Sequence, residues 1–279
     1  MKSTSPLSIK NTGAGDEDEM LSSLRRKWGF DLSAYNPASL KRRFERFLSL
    51  YKISDLSDLE HFINYQPEGL AILRHRFSVH YSEFFREPEN WRYHREVLLP
   101  RFRGKRCRIW MLGCSWGMEV ISMAILAEEL QLGPQVEIIA SDWDQQVLRD
   151  QPRYKFPLHQ AEKGGHNYRQ SNGRKLWEDY FQRASSQAHF RPGLLDRVRY
   201  LPQDVRYPPA LEEVDLLWCK NVLIYFTREA QGQIIAHFTE ALRPGGLLQV
   251  GQEESLTFYR GQKRWHPINP SQSLYRLAG

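Results

Sequence analysis

A chain of 279 residues with 41% hydrophobic and 13% aromatic content has material for a sizeable core, and its length suits a small domain joined to a larger one. No stretch approaches the roughly 20 apolar residues of a membrane span, and Met1-Lys2-Ser3-Thr4-Ser5-Pro6 lacks the apolar run of a secretory signal, so a cytoplasmic protein with a polar, disordered lead over 1–15 is expected. The formal charge of +6 suits either a nucleic acid or an acidic protein partner, whereas three cysteines without CxxC spacing, Cys107, Cys114 and Cys219, argue against a disulfide framework or a zinc site and read as small buried hydrophobes.

Residues 16–88 read as an amino-terminal helical domain, with helices over 20–28, 38–51, 56–64 and 67–79. In the second helix Leu40, Phe44, Phe47, Leu48 and Tyr51 fall on one face and Arg42, Arg43 and Arg46 on the opposite one. That helix therefore has a core side and a cationic side. From Arg106 the pattern becomes strand-helix alternation: a strand over 108–112, a helix over 119–130, a strand over 136–140 and a helix starting near 143. Such alternation predicts an α/β domain over 89–279 with a doubly wound, Rossmann-like parallel sheet and ligands at the strand tips. Between 152 and 200 the Gly164-Gly165-His166-Asn167 and Ser171-Asn172-Gly173 clusters mark loops. A short helix is expected over 176–181, and a small β insertion about 182–200, with a hairpin at 190–200. Further on, Leu217 to Phe226 reads as a buried strand with a polar tip, followed by an amphipathic helix that Pro244-Gly245-Gly246 stops, and a last strand. Asn221 and Tyr225 then lie beyond the carboxyl end of a strand, where open α/β sheets bind ligands.

The turn Gly113-Cys114-Ser115-Trp116-Gly117 follows the first strand and precedes a helix, so its backbone can turn tightly and approach a ligand. The second strand ends in Ser141-Asp142-Trp143-Asp144, and a carboxylate there can accept both hydroxyl hydrogens of a ribose. The full G-x-G-x-x-G of pyrophosphate binding is missing, so a ribose ligand without phosphates fits better, and S-adenosylmethionine is such a ligand.

The wording of several segments resembles one enzyme family, the CheR-type chemoreceptor glutamate methyltransferases. Trp218-Cys219-Lys220-Asn221-Val222-Leu223-Ile224-Tyr225-Phe226 is similar to the family's C-R-N-V-x-I-Y-F, and Ala241-Leu242-Arg243-Pro244-Gly245-Gly246 with Gly251, Glu254 and Ser255 to its A-L-x-P-G-G-x-x-x-x-G-x-x-E-S. Tyr81-Ser82-Glu83-Phe84-Phe85-Arg86-Glu87 looks like its T-E-F-F-R-D/E. Gly113-Cys114-Ser115 with Gly117, Glu119 and Ser122 is similar to G-C-S-T-G-E-E-P-Y-S, and Ala140-Ser141-Asp142-Trp143-Asp144 to A-T/S-D-I-D. Together with Trp28-Gly29-Phe30-Asp31 and Tyr35 to Arg43, the resemblance covers nearly the whole chain beyond residue 16. It implies a methyl transfer from S-adenosylmethionine to glutamate carboxylates on the cytoplasmic helical bundle of a chemoreceptor, giving the methyl ester and S-adenosylhomocysteine. By the same resemblance Gly113, Cys114, Ser115, Gly117, Lys220 and Asn221 would hold the cofactor, Glu119 its methionine amino group, Asp142 its ribose, and Asp204 would lie near the adenine. Arg86 and Tyr225 would line the reaction site. The sequence departs from the family at Trp116, Met118, Val120-Ile121, Lys220 and Gln252.

The chemistry suits those two side chains. A glutamate nucleophile is ionised at neutral pH, since its ordinary pKa is about 4.3, so an in-line displacement needs alignment rather than a strong base. A guanidinium such as Arg86 can grip one carboxylate oxygen while the Tyr225 hydroxyl fixes the geometry near the sulfur. The Arg42, Arg43 and Arg46 face would meet the acidic receptor surface; neither nucleic acid nor direct membrane insertion is expected. Three rival readings stand beside this one. The first is a catalytically weak S-adenosylmethionine-binding regulator and the second an RNA methyltransferase. The third is an α/β-hydrolase with Ser115 in a G-x-S-x-G elbow and His237 or His266 as base. The histidines His75, His80, His159, His166 and His189 lack metal-ligand spacing, so no metal site is expected.

Overall fold

The computed structural model describes residues 14–149, 154–256, 259 and 264–279. The expected polar lead lies outside these residues except for Ala14 and Gly15, which open the first helix. The chain divides between Ser78 and Val79 into two compact units.

The first unit holds, among its described residues, the helices α1 (Ala14–Trp28), α2 (Pro37–Tyr51), α3 (Leu56–Tyr65) and α4 (Gly69–Phe77). Local chemistry sets their ends. Asn36 Oδ1 accepts the Ala38 N–H at 3.1 Å ahead of α2, with Pro37 at the first helical position. Asp55 Oδ1 accepts the Asp58 N–H at 2.9 Å while Asp58 Oδ2 accepts the Ser54 N–H at 2.8 Å, a reciprocal cap for α3. The apolar stripe of α2 buries Phe44, Phe47 and Leu48, and the Phe44 and Phe47 rings meet Phe77 of α4 at 5.9 and 6.2 Å. Helix α4 begins at Gly69 rather than at 67. Residue 69 lies so close to α3 that a Cβ would meet Phe62 O at 2.7 Å and Ile63 Cα at 2.9 Å, so the chain turns before it and α4 starts from Glu68 at φ +59°. The cationic side of α2 is also smaller than its spacing predicts. Arg42 and Arg46 are exposed, but Arg43 is half-buried and its Nη1 donates to Phe77 O at 2.8 Å, capping the end of α4.

The second unit begins ten residues before the boundary expected at 88/89. Phe84 and Phe85 belong to the sheet unit's core, the Phe85 N–H donates to Ser122 Oγ at 3.0 Å, and Asn167 Nδ2 donates to Phe84 O at 3.0 Å. Helix α5 (Pro88–Tyr93) continues through a π turn and a 3-10 turn into β1 (Cys107–Leu112), α6 (Met118–Glu129), β2 (Val136–Ser141), α7 (Gln145–Arg149) and β3 (Lys155–Pro157). Next come α8 (Leu158–Gln170), β4 (Phe181–Ala184), β5 (Gln187–Phe190), β6 (Val198–Tyr200), β7 (Val214–Trp218), α9 (Arg228–Ala241), β8 (Leu242–Gln249), β9 (Trp265–Asn269) and β10 (Leu274–Leu277). The main sheet has the order β6-β2-β1-β7-β8-β10-β9, with β6, β2, β1, β7 and β8 parallel and β10 antiparallel to β8. This is the doubly wound, Rossmann-like α/β arrangement. Every residue of β7 is buried, as a central parallel strand covered on both faces requires.

Two expectations between 152 and 200 are corrected. The Gly164-Gly165-His166-Asn167 cluster sits inside α8, not in a loop. There the glycines give the helix a smooth face: a Cβ on Gly164 would meet Phe84 Cβ at 2.7 Å and one on Gly165 would meet Trp177 Cδ1 at 2.7 Å. The β insertion is not a hairpin within 190–200. It is a separate three-stranded sheet, β3-β5-β4, whose hairpin turns at 185–186, while β6 leaves it to pair with β2 in the main sheet. Phe156, Phe181 and Phe190 pack with Phe84 and Trp177 to seat it. Pro244-Gly245-Gly246 lies within β8 itself, directly after α9 ends; Gly245 has φ +76°, and a Cβ on Gly246 would meet Val214 O at 3.0 Å.

Candidate functional site

From β1 the chain proceeds to β2 and β6 on one side and later to β7 and β8 on the other, so the strand order reverses between β1 and β7. Loops leaving neighbouring strands in opposite directions open a crevice at their carboxyl ends. The turn after β1 is Gly113 to Gly117 and the tip after β7 is Cys219 to Asn221. They touch: Gly113 has φ +70° and a Cβ there would meet Val222 Cγ2 at 2.5 Å, so only glycine lets the two tips close together. Gly117, at φ +83°, starts α6, whose first turn carries Glu119.

Asp142, at the end of β2, is 6% exposed and turns its carboxylate towards the β1 turn. Its Oδ2 accepts the Ser115 N–H at 3.0 Å and its Oδ1 the Asp144 N–H at 3.0 Å. Each oxygen keeps a further lone pair for another donor. Burial pushes this carboxyl pKa up, against the pull of the Asp144 and Ser115 amides. The loop after β6 joins the same end of the sheet, since the Gln203 N–H donates to Asp142 O at 3.1 Å. Asp204, next in that loop, has its carboxylate engaged by Arg206, whose Nη2 lies 2.6 Å from Oδ2 and whose guanidinium stacks over the rings of Trp143 and Tyr207 at 5.6 and 5.7 Å.

Lys220 is the centre of a second group. Its Nζ, fully buried, donates to Arg86 O at 3.1 Å and lies 3.1 Å from Glu87 Oε2 and 3.3 Å from Glu119 Oε1. One cation thus ties together the β7 tip, the first turn of α6 and the segment before α5. Two carboxylates therefore meet at one ammonium. Burial holds the Glu119 pKa above its ordinary value, against the pull of Lys220. The Arg86 guanidinium lies over the Tyr81 ring at 5.1 Å, and the Tyr81 hydroxyl donates to Glu83, itself paired with Lys163 of α8. The carboxylates next to Arg86 in sequence are engaged elsewhere, Glu87 by Lys220 and Glu89 by Arg92. Tyr225 ends a 3-10 turn (Leu223–Tyr225) just beyond the β7 tip and is partly exposed.

Several residues that matter here have no sequence signal of their own. Glu254, 4% exposed, accepts backbone N–H groups from both the β7 and β8 tips; it stands in a matched motif, but nothing in that motif says its partners are amides. Glu87 ends the segment similar to T-E-F-F-R-D/E, but nothing in that segment says that its partner is Lys220. His94 pairs with Gln249, 155 residues away, at 2.8 Å. The three cysteines are buried free thiols whose pKa values burial pushes up, so they are inert hydrophobes. The hydrolase reading fails on topology. His266 lies on β9 at the far edge of the sheet from β1, and His237 Nδ1 is at Val205 O, 3.4 Å away.

Burial drives the His94 pKa down to about 4, against the Gln249 hydrogen bond and with Lys220 adding to the fall. The native protein therefore refuses a proton that the unfolded chain accepts below about pH 6.5. Stability is unaffected above that pH and falls as the pH drops from about 6.5 to about 4, by up to about 3 kcal/mol from this residue. In urea unfolding, His94→Gln is expected to flatten the loss over that window; an unchanged pH profile would refute the assignment.

Residues 80–271 match the family described as CheR methyltransferase, SAM binding domain, and residues 16–78 match the CheR methyltransferase all-alpha domain. Over 260 residues the chain is 28% identical to the Cher3 protein of Pseudomonas putida, covering 93% of this chain and 95% of that one. It is 27% identical over 240 residues to the chemotaxis protein methyltransferase of Listeria innocua, covering 84% and 87% of the two chains. With chemotaxis protein methyltransferase 1 of Pseudomonas aeruginosa it shares 26% identity over 250 residues, covering 84% and 87%.

Proposed function

The chain belongs to the CheR methyltransferase family, and from that premise we propose that it methylates glutamate side-chain carboxylates on a chemoreceptor or related signalling protein. S-adenosylmethionine is the cofactor and supplies an electrophilic methyl group on a sulfonium. One oxygen of the substrate carboxylate forms the new C–O bond as the S–CH3 bond breaks, and the electron pair returns to sulfur, leaving S-adenosylhomocysteine. No proton moves, so the site needs no general base.

The observation that carries this reading is the pair of ligand-ready groups at the switch point. Asp142 stands at the end of β2 against the β1 turn, each oxygen holding one backbone N–H and keeping a lone pair for a ribose hydroxyl, and Glu119 beside Glu87 and Lys220 offers a carboxylate for the methionine ammonium. Gly113, Cys114, Ser115 and Gly117 supply close-approaching backbone, Lys220 and Asn221 the opposite wall, and Asp204 with Arg206 the third loop. Arg86 and Tyr225 align the incoming carboxylate. Three of the departures from the family pattern have a place in the packing: Met118 is buried, the Trp116 ring lies 5.1 Å from that of His80 at a tilt of 48°, and Lys220 has a full set of partners.

The substrate's acidic helices suit the exposed Arg42 and Arg46 of α2, with Arg43 reassigned to the fold. No helix among the described residues is long and apolar enough to cross a membrane, and the reading places the protein in the cytoplasm beside its receptor. Transfer of tritiated methyl to a purified receptor cytoplasmic domain, as base-labile ester, is the deciding experiment; label in RNA and none in protein would select the RNA reading. In parallel, Asp142→Ala is expected to weaken S-adenosylhomocysteine binding by about 2–3 kcal/mol in titration calorimetry, having lost two hydrogen bonds to a charged acceptor. Unchanged affinity would remove Asp142 from the site.

A further inference from the structure

We infer that Glu254 is a positioning residue for methyl transfer: its buried carboxylate clamps the main chain of the β7 tip and so sets where Asn221 and Tyr225 stand. The inference rests on the function proposed above.

The carboxylate gathers four backbone donors from two loops. Oε2 accepts the N–H groups of Asn221 at 2.8 Å and Gly251 at 2.7 Å, and Oε1 those of Leu223 at 2.7 Å and Ile224 at 3.3 Å. Glu254 is itself held in the β8 tip, its N–H donating to Gly251 O at 3.0 Å. The bonds go to the places where the tip has least support of its own. Asn221 is held at φ +59°, a conformation that asparagine tolerates but that persists only when its surroundings enforce it. The 3-10 turn that delivers Tyr225 has unsatisfied N–H groups at its start, and Glu254 caps two of them. Gly251 completes the clamp, because a Cβ there would meet Asn221 Nδ2 at 2.7 Å.

Below the tip, the strands do not depend on Glu254. Leu216, Leu217 and Trp218 of β7 pair with Leu247, Leu248 and Gln249 of β8, and the Cys219 N–H donates to Gln249 O at 2.9 Å. Loss of the carboxylate should loosen the tip above an intact sheet. Asn221 Oδ1 is buried without a hydrogen-bond partner, so the clamp holds in place an acceptor with a lone pair still to satisfy.

Glu254→Gln tests this, since the amide keeps the shape but turns a donor on one pair of N–H groups. Three readings are taken on the full chain: amide hydrogen exchange, S-adenosylhomocysteine affinity by calorimetry, and kcat with KM for a purified receptor cytoplasmic domain. Expected are exchange at residues 221–224 at least tenfold faster, protection in β1, β7 and β8 unchanged, and kcat down at least tenfold with receptor KM within threefold. A folded variant with wild-type kcat and wild-type exchange at 221–224 overturns the inference, and so does exchange raised evenly throughout the sheet, which marks a general structural role. Should Glu254→Gln fail to fold, Gly251→Ala takes its place, pushing on Asn221 with Glu254 intact; wild-type kcat and cofactor affinity in that variant overturn the inference too. If the wild-type protein methylates no receptor, the proposed function fails, while hydrogen exchange and S-adenosylhomocysteine affinity still decide whether Glu254 organises the cofactor side of the tip.

Discussion

Glu129→Ala is expected to lower the unfolding free energy by about 3–5 kcal/mol, because it leaves a buried arginine without its counter-charge. Glu129 closes α6, and its carboxylate accepts from Arg95 Nη1 and the Tyr168 hydroxyl, from the Tyr180 hydroxyl at 2.9 Å and from the Arg174 N–H at 3.0 Å. Arg95 is 1% exposed, and its Nε donates to Ser171 O at 2.9 Å. This one carboxylate therefore joins the segment after α5, the end of α6, the end of α8 and the turn leading into β4. Burial raises its pKa, but the Tyr168 and Arg95 bonds outweigh that and hold it below the usual range, while burial and Glu129 push the Tyr168 phenol up to about 12. A depressed carboxyl pKa contributes stability that is present above about pH 4.5 and lost as the pH falls through the native value. Guanidinium unfolding at pH 7 checks the size. The double variant Arg95→Met with Glu129→Leu should recover much of the loss, since two apolar groups of similar volume avoid the unpaired charge. A loss under 1 kcal/mol in the single variant would show that water or a rearranged Arg95 restores the missing partner.

That hub marks where the sequence stops being readable. Strand tips announce themselves locally: a glycine turn, an acid after a strand and Asn221 beyond a buried run each lie within a few residues of the element that places them, and the sheet and its crevice follow from order alone. Glu129 gave no such sign. Its partners are 34 to 51 residues away, and a glutamate near a helix end reads as solvated surface. Gly164-Gly165 misled for a related reason. Glycine signals a turn by its backbone freedom, yet here it serves as a missing side chain against Phe84 and Trp177, and only the packed neighbour reveals which use applies. Arg43 faced outward by helical phase, but the Phe77 carbonyl, fixed by the end of α4, draws it in. Helical phase places a side chain on a face of its own helix and says nothing of what the next helix offers there.

Arg86→Ala is expected to reduce kcat for receptor methylation tenfold or more, about 1.4 kcal/mol of transition-state stabilisation, with S-adenosylhomocysteine affinity changed by no more than a few fold. The structural duties of residue 86 fall to its main chain: its carbonyl oxygen accepts from Lys220 Nζ at 3.1 Å and from Trp91 Nε1 at 2.9 Å, and both bonds survive truncation of the side chain. The guanidinium lies over the Tyr81 ring, itself anchored through Glu83 to Lys163, so its orientation is restricted, as the proposed role in aligning the carboxylate requires. A planar fork can bind one oxygen of an ionised carboxylate and leave the other to attack, whereas a tight two-oxygen ion pair would dull the nucleophile. Arg86→Lys should accordingly fall between wild type and alanine, keeping charge but losing the fork, and Tyr225→Phe should slow transfer by a similar order without loss of cofactor. Initial rates at saturating S-adenosylmethionine, with calorimetry on the same preparations, separate the two possibilities. If Arg86→Ala instead loses cofactor binding and melts at a lower temperature, its side chain supports the fold; if kcat is unchanged in a folded variant, another group aligns the carboxylate.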